Sequence, residues 1–509
     1  MPITGMILDV AAQHPDRPAI VSADTRLSYR QLVEDSRRVF AAADSLHRAQ
    51  PAPPAPAAET GGIPITAISV TSAFDTARIL AGLAGYRAVS ATIDPRWPLE
   101  HRARIVQACG IGVVISDSPD LAAALAQRGW TGTLVSPDEF RHREAAAEPA
   151  AMPTVRPGSE PFLLLFSSGT TSDPKAFLKT RQQYRTNFAV SSAHLEPLPG
   201  VATLAPGPVS YSLTLYALIE CLASGGSAHL ADAFDPIRMG RRIHDERITR
   251  VVAVPAVVAA LTDAARRDPS RFAGLDLVVT GGANLPAVLR TGLAEALPDV
   301  RLISYYGAAE IGFIGDSRGG DGTRIAVYDG IGASIRDDDG APLPSGELGT
   351  LWIRADACSD GYVSATTDAV LRGPDGWATV HDQGRIADGA LVLAGRAGDI
   401  AITGGHKVSL ADVERAFGGM PGLGAVCAVA LPHDRLGSVV ALVIEDGAVE
   451  DGHPAPTKAD LREWAAARLA PQFVPRRWYR VAALPRTVGG KIRRPATADL
   501  VAHRQAVRL

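Results

Sequence analysis

Short apolar runs bounded by breakers alternate along this chain with helix-like segments. Phe162-Leu163-Leu164-Leu165, Ile111-Gly112-Val113-Val114-Ile115, Leu277-Val278-Val279-Thr280 and Leu302-Ile303-Ser304-Tyr305 are predicted strands, each leading into a loop. Strands that alternate with helices imply α/β layers, and open α/β sheets bind ligands in the loops beyond their strand ends. The loops after the last two strands carry Gly281-Gly282-Ala283 and Tyr306-Gly307, which makes both motifs candidates for a ligand site.

The longest apolar stretch, Val251 to Val258, is too short to span a bilayer and is broken by Pro255. Residues 51–57, all proline and alanine, are expected to form an exposed loop without chemistry, and a second breaker-rich stretch, Ala145 to Gly158, leads into the strand at Phe162. Met1-Pro2-Ile3-Thr4-Gly5 shows no basic region ahead of an apolar core, so the expectation is a cytoplasmic protein that does not use a membrane.

At 509 residues the chain exceeds what one core accommodates, so two or more domains are expected. Its 46% hydrophobic and 21% charged content is ordinary for a globular protein. Cys109, Cys221, Cys358 and Cys427 stand far apart without Cys-x-x-Cys spacing, which predicts buried thiols rather than zinc ligands or a disulfide framework. The net charge of −3 is uneven: residues 458–509 hold twelve Lys/Arg against three acidic residues, a local +9 that leaves −12 for the remainder. Solvated faces account for part of this, and a partner bearing several phosphates, such as ATP or the nucleotide end of coenzyme A, accounts for the rest. No aromatic residues interleave with the basic ones as a nucleic-acid surface requires, so no nucleic-acid partner is expected.

The most informative chemistry lies in Phe166-Ser167-Ser168-Gly169-Thr170-Thr171-Ser172-Asp173-Pro174-Lys175. A strand that runs into Ser, Thr and Gly presents backbone N–H groups and hydroxyls to one point, which suits a phosphate chain. The Walker loop does not fit, because Pro174 precedes Lys175 and Ala176 follows it.

These residues, with others further along, resemble the adenylate-forming superfamily of acyl-CoA ligases, peptide-synthetase adenylation domains and luciferases. The loop resembles that family's Ser/Thr-Ser-Gly-Thr-Thr-Gly-x-Pro-Lys-Gly signature. Gly281-Gly282-Ala283 and Tyr306-Gly307-Ala308-Ala309-Glu310 follow in order, then Gly376-Trp377 to Asp382, Gly395-Arg396-Ala397-Gly398-Asp399 with Gly404-Gly405 and Glu414, and Pro485 to Lys491. The resemblance implies a large α/β N-terminal domain of several subdomains over residues 1–394, a hinge at 395–398 and a small mobile α+β domain over 399–509. The family's hinge residue is commonly Asp or Lys; here it is Gly398, whose backbone freedom suits a swivel.

The implied activity is that of a carboxylate–CoA ligase. ATP turns an acid into acyl-AMP with Mg²⁺ carried by the nucleotide, and the thiol of coenzyme A then displaces AMP. By resemblance Lys491 and Glu310 are the catalytic candidates, Glu310 as the Mg²⁺ ligand. The phosphate loop contributes Ser167, Ser168, Gly169, Thr170, Thr171 and Lys175. The AMP half adds Gly281, Gly282, Ala283, Tyr306, Gly307, Ala309, Asp382 and Arg396. Gly404 and Gly405 line the channel for coenzyme A, and Ser210, Tyr211 and Ala308 line the acyl pocket, where no carboxylate is available to pair an amino acid's ammonium and small apolar residues suggest an apolar acid.

Several positions depart from the family pattern. Ser172 and Ala176 replace glycines, Ala309 replaces a threonine, and Val380-His381 replaces Thr-Gly before Asp382. A side chain where a glycine could take positive φ reshapes a loop, so the adenylation step is expected to be weak. Three alternatives therefore stand beside the full ligase: thioesterification of acyl-AMP supplied by a partner adenylating enzyme, adenylation that loads a carrier protein, and a silent nucleotide- or acyl-binding protein, which the retained Lys491, Glu310 and Gly404-Gly405 disfavour. The identity of the acid and the oligomeric state stay open.

Overall fold

The computed structural model describes residues 3–167, 174–283, 285–403, 406–433, 437–446, 454–469, 473–487 and 490–509, with backbone alone at 396, 397, 402, 406, 407 and 437. Strand Leu277–Thr280 is buried along its whole length and pairs in parallel with Arg250–Ala253 on one side and Arg301–Ala308 on the other. A strand covered on both faces carries a continuous apolar run, which is why it stands out in the sequence. It lies in the middle of a thirteen-stranded mixed sheet.

The apolar stretch at 251–258 divides at its proline. Residues to Ala253 are strand, and Pro255 opens the helix Pro255–Arg267, where its missing N–H costs no hydrogen bond. A second sheet of six strands is parallel except at its edge, where Pro161–Phe166 pairs antiparallel with Ala176–Thr180. The expected strand at 111–115 forms as Val113–Ser116 in this sheet.

From Ile400 onward the chain builds its own six-stranded sheet, including Val426–His433, Gly437–Glu445 and Arg477–Val481. Alternate side chains supply two apolar clusters, Trp478 and Leu442 in one and Tyr479 and Val443 in the other. Helices Leu410–Ala416, Lys458–Ala466 and Arg494–Ala502 complete this α+β unit.

One expectation is corrected. Tyr306 and Gly307 do not lie in a loop, because strand Arg301–Ala308 continues through them and pairs antiparallel with Gly312–Ser317. Gly307 permits this pairing: a Cβ there would lie 2.5 Å from the Gly312 oxygen. All four cysteines are buried thiols. Among the described residues no helix is long and apolar enough to cross a membrane.

Candidate active site

Strand Arg301–Ala308 holds an unusual accessible segment. Its residues Tyr305 to Ala308 run past the end of Leu277–Thr280, whose Thr280 pairs with Ser304, and keep accessible surface although their antiparallel partner Gly312–Ser317 is buried throughout. Residues that extend beyond the C-terminal end of a parallel neighbour stand where open α/β sheets bind ligands, which makes this the candidate cleft.

One side of the cleft is polar. The Tyr306 hydroxyl donates to Asp382 Oδ2 at 2.6 Å, and Asp382 lies in register with Arg396 across strands Asp382–Ala387 and Ala390–Arg396. The Arg396 side chain lies outside the described residues. His381, directly before Asp382, takes φ 63°, a left-handed conformation that favours glycine.

The neck of the Ser/Thr-rich loop is closed by two bonds. Ser167 N donates to Lys175 O at 2.8 Å, and Lys175 N donates to Ser167 Oγ at 3.2 Å. Ser168, Gly169, Thr170, Thr171 and Ser172 lie outside the described residues. The Lys175 ammonium sits 5.2 Å from the ring centre of Tyr362, whose hydroxyl donates to Glu310 Oε1 at 3.2 Å. Glu310 is buried at 7% exposure. Below it, Lys179 donates to the main-chain oxygens of Glu310 at 2.7 Å and Ala357 at 2.6 Å. Burial brings the Lys179 ammonium down to about 8, against the opposing pull of nearby Cys358 and Glu310. A single buried carboxylate suits Mg²⁺ that arrives with most of its oxygen ligands on a nucleotide, and no group of three metal-ligating side chains occurs among the described residues.

Gly281 has a packing role that its motif does not reveal: a Cβ there would fall 2.4 Å from the Tyr305 ring. Gly282 takes φ 79° and Ala283 is exposed. Ala308 and Tyr306 pack against one apolar cluster and Ala309 and Tyr305 against another, and the Ala309 oxygen accepts from the Tyr216 hydroxyl at 3.1 Å. Ser210 and Tyr211 precede helix Ser212–Ser224, and Arg96, paired with Asp94 at 2.7 Å, lies 5.9 Å from the Tyr211 ring centre. Burial pushes the Tyr211 hydroxyl up to about 12.

Ala176 does not take the left-handed backbone that a glycine there would allow. Ala176 is a regular strand residue opposite Phe166, and neither it nor Ala309 has positive φ. Ala176 N instead donates to Thr366 Oγ1 at 3.1 Å.

In the C-terminal unit, Gly398 is exposed in a single 3₁₀ turn, Ala397–Asp399, and its φ lies outside the left-handed region. Asp399 accepts from Arg494 at 2.6 Å, and Arg494 also pairs with Glu414. Lys491 is exposed at a turn closed by Thr487 N to Lys491 O at 2.7 Å, with Gly490 at φ 80°. Gly404 and Gly405 lie outside the described residues. Part of the basic excess is neutralised locally, Arg486 by Glu445 and Arg494 by Asp399 and Glu414.

The sequence pattern of the AMP-binding enzyme family matches residues 67–363, and that of the AMP-binding enzyme C-terminal domain matches residues 412–491. The chain belongs to this family. The AMP-binding enzyme is 27% identical to the uncharacterized acyl-CoA ligase YhfT of Bacillus subtilis, over 97% of each chain. It is 28% identical to a salicylyl-CoA synthase / salicylate adenylyltransferase of a Streptomyces species, over 98% of this chain and 94% of that one. Its fold is that of ATP-bound MatB from Rhodopseudomonas palustris, with TM-score 0.84 at 20% identity over 98% of this chain and 99% of that one.

Three residues around this AMP-binding enzyme's candidate site escaped the sequence motifs: Lys179 and Tyr362, which reach Glu310, and Tyr305, whose ring lies against Gly281. Lys179 left a signal, a lysine directly after Ala176-Phe177-Leu178 in a strand. Tyr362 left none, since it reaches Glu310 from 52 residues away.

Proposed function

We propose that this AMP-binding enzyme is an AMP-forming acyl-CoA ligase acting on an apolar carboxylic acid. A carboxylate oxygen attacks the α-phosphorus of ATP, pyrophosphate leaves, and the resulting acyl-AMP gives its acyl group to the thiol of coenzyme A as AMP departs. One observation carries the reading: the Tyr306–Asp382 pair and the Lys175–Tyr362–Glu310 chain start from the two ends of the short segment 306–310, so groups suited to a nucleoside stand close along the chain to groups suited to its phosphates and metal. The names of the relatives support the same activity.

In this proposal Tyr306 and Asp382, with Gly281, Gly282, Ala283, Gly307 and Arg396, hold AMP. Residues 167–171, Lys175 and Ala309 face the phosphates, and Glu310 offers its carboxylate to Mg²⁺. The acyl group lies near Ser210, Tyr211 and Ala308. Residues 399–509 rotate about Gly398, presenting Lys491 for adenylation and Gly404-Gly405 for thioester formation.

A second reading, thioesterification of acyl-AMP made by a partner, is favoured by Ala309, whose methyl gives phosphate no hydroxyl. Mass spectrometry of products from a carboxylic-acid panel, with ATP, Mg²⁺ and coenzyme A or with synthetic acyl-AMP and coenzyme A, separates the two. Thioester from both supports the full ligase, thioester from acyl-AMP alone supports the second reading, and thioester from neither overturns both. Replacing coenzyme A with a carrier-protein thiol tests the acceptor.

A further inference from the structure

We infer that the protein carries a second ligand site, for the doubly charged oxyanion of a phosphate group, where the strand ends at Ser69 and Ser116 meet the buried guanidinium of Arg102.

Strand Ile65–Ser69 pairs in parallel with Val89–Thr92 on one side and Val113–Ser116 on the other. The chain passes from Ile65–Ser69 to Val89–Thr92 and then crosses back to Val113–Ser116, so the strand order reverses between Ser69 and Ser116. Open α/β sheets bind ligands at such a reversal, beyond the C-terminal ends of the strands. Ser69 and Ser116 are opposed in register, and alternation puts them on the face of Ala67 and Val114, which packs with Ala103 and Val106 of helix Leu99–Ala108. Both serines are buried, and the Ser69 hydroxyl has no hydrogen-bond partner among the described residues.

Arg102 belongs to that same helix. It is only 7% exposed, and its Nη2 donates to Ser118 Oγ at 3.4 Å, whereas Nε and Nη1 have no partner among the described residues. Ser118 caps helix Pro119–Gln127 without turning its hydroxyl to the helix N–H groups, and its own N–H donates to Ser116 Oγ at 3.1 Å. Contacts thus run from Arg102 to Ser118 to Ser116 and across the register to Ser69, which gathers the unpaired donors at one corner of the sheet.

Three aspartates act on Arg102 and none pairs with it. Asp94 is taken by Arg96 at 2.7 Å, Asp117 accepts from the Thr71 N–H at 2.7 Å and its hydroxyl at 2.6 Å, and Asp120 is exposed. A buried guanidinium without a counter-ion is costly, and an apolar side chain would pack this helix at lower cost. A phosphate group supplies the counter-charge and accepts from Nε, Nη1 and the Ser69 hydroxyl; its double charge outweighs the repulsion of two engaged aspartates and one solvated one.

Calorimetric titration of the protein with inorganic phosphate and with glycerol phosphate, at constant ionic strength, tests the site. One saturable site per chain that depends on Arg102 is expected for at least one probe. If inorganic phosphate binds, the group is recognised alone; if only glycerol phosphate binds, the group is recognised on a larger molecule. Arg102→Leu should weaken binding at least about tenfold in a variant that still unfolds cooperatively, and Ser69→Ala should weaken it by a smaller factor. If Arg102→Leu does not fold, Arg102→Gln takes its place with the same expectation. Binding of neither probe by the wild-type protein overturns the inference. So does unchanged binding in the folded Leu or Gln variant, which would put the anion elsewhere.

Discussion

The ammonium of Lys179 donates to the main-chain oxygen of Glu310 at 2.7 Å, so a buried charge ties strand Ala176–Thr180 to the end of the Tyr306–Glu310 motif. Its second bond, to Ala357 at 2.6 Å, brings in the segment that leads to Tyr362. The two segments whose side chains meet at Glu310 Oε1 are thus held by one cation from below.

Lys179→Met keeps the volume and leaves two carbonyl oxygens without this donor. We expect a loss of stability of about 1–3 kcal/mol and slower pyrophosphate release, measured by thermal unfolding and a coupled assay. The pH dependence has a definite sign. Burial lowers the lysine from its ordinary 10.5 to about 8, so between those values the unfolded chain binds more protons than the folded one. Wild-type stability relative to Lys179→Met should therefore rise as pH increases from about 8 to 10.5. A flat difference across that window would exclude the shifted ammonium.

Tyr306→Phe removes the hydroxyl that bonds Asp382 at 2.6 Å and keeps the ring. A hydrogen bond to a charged group contributes about 1.5–3 kcal/mol, so the affinity for AMP should fall by roughly tenfold or more while the ring still packs. Calorimetric titration with AMP measures this directly, and unchanged affinity would detach the pair from the nucleotide site.

His381→Gly relieves a left-handed backbone at φ 63° immediately before Asp382. Relief of the side-chain penalty, less the extra entropy of a glycine in the unfolded chain, should stabilise the protein by about 0.5–1 kcal/mol. A melting temperature that falls instead would show that the imidazole makes contacts worth more than the strain.

Lys491→Ala should abolish acyl-AMP formation and spare thioester formation from supplied acyl-AMP, since Lys491 is proposed to serve only the adenylation pose. Gly405→Leu should do the reverse, because any side chain narrows the proposed thiol channel. Rapid-quench assays of each half-reaction decide both, and equal loss of the two steps in either variant would remove that assignment.

By itself the sequence determined the α/β layering, the buried strand Leu277–Thr280, the division of the apolar stretch at Pro255 and the order of the motifs, because local apolar runs and breakers record them. It misplaced Tyr306-Gly307 in a loop, since the strand that extends around them, Gly312–Ser317, is recruited by a pairing that a local pattern does not contain. Tertiary structure alone decided that Tyr306 meets Asp382, that the Tyr305 ring lies against Gly281 and that Lys179 reaches Glu310. Each is a contact between residues far apart in the chain, set by sheet register and by the shift in register between Tyr306 and Gly307.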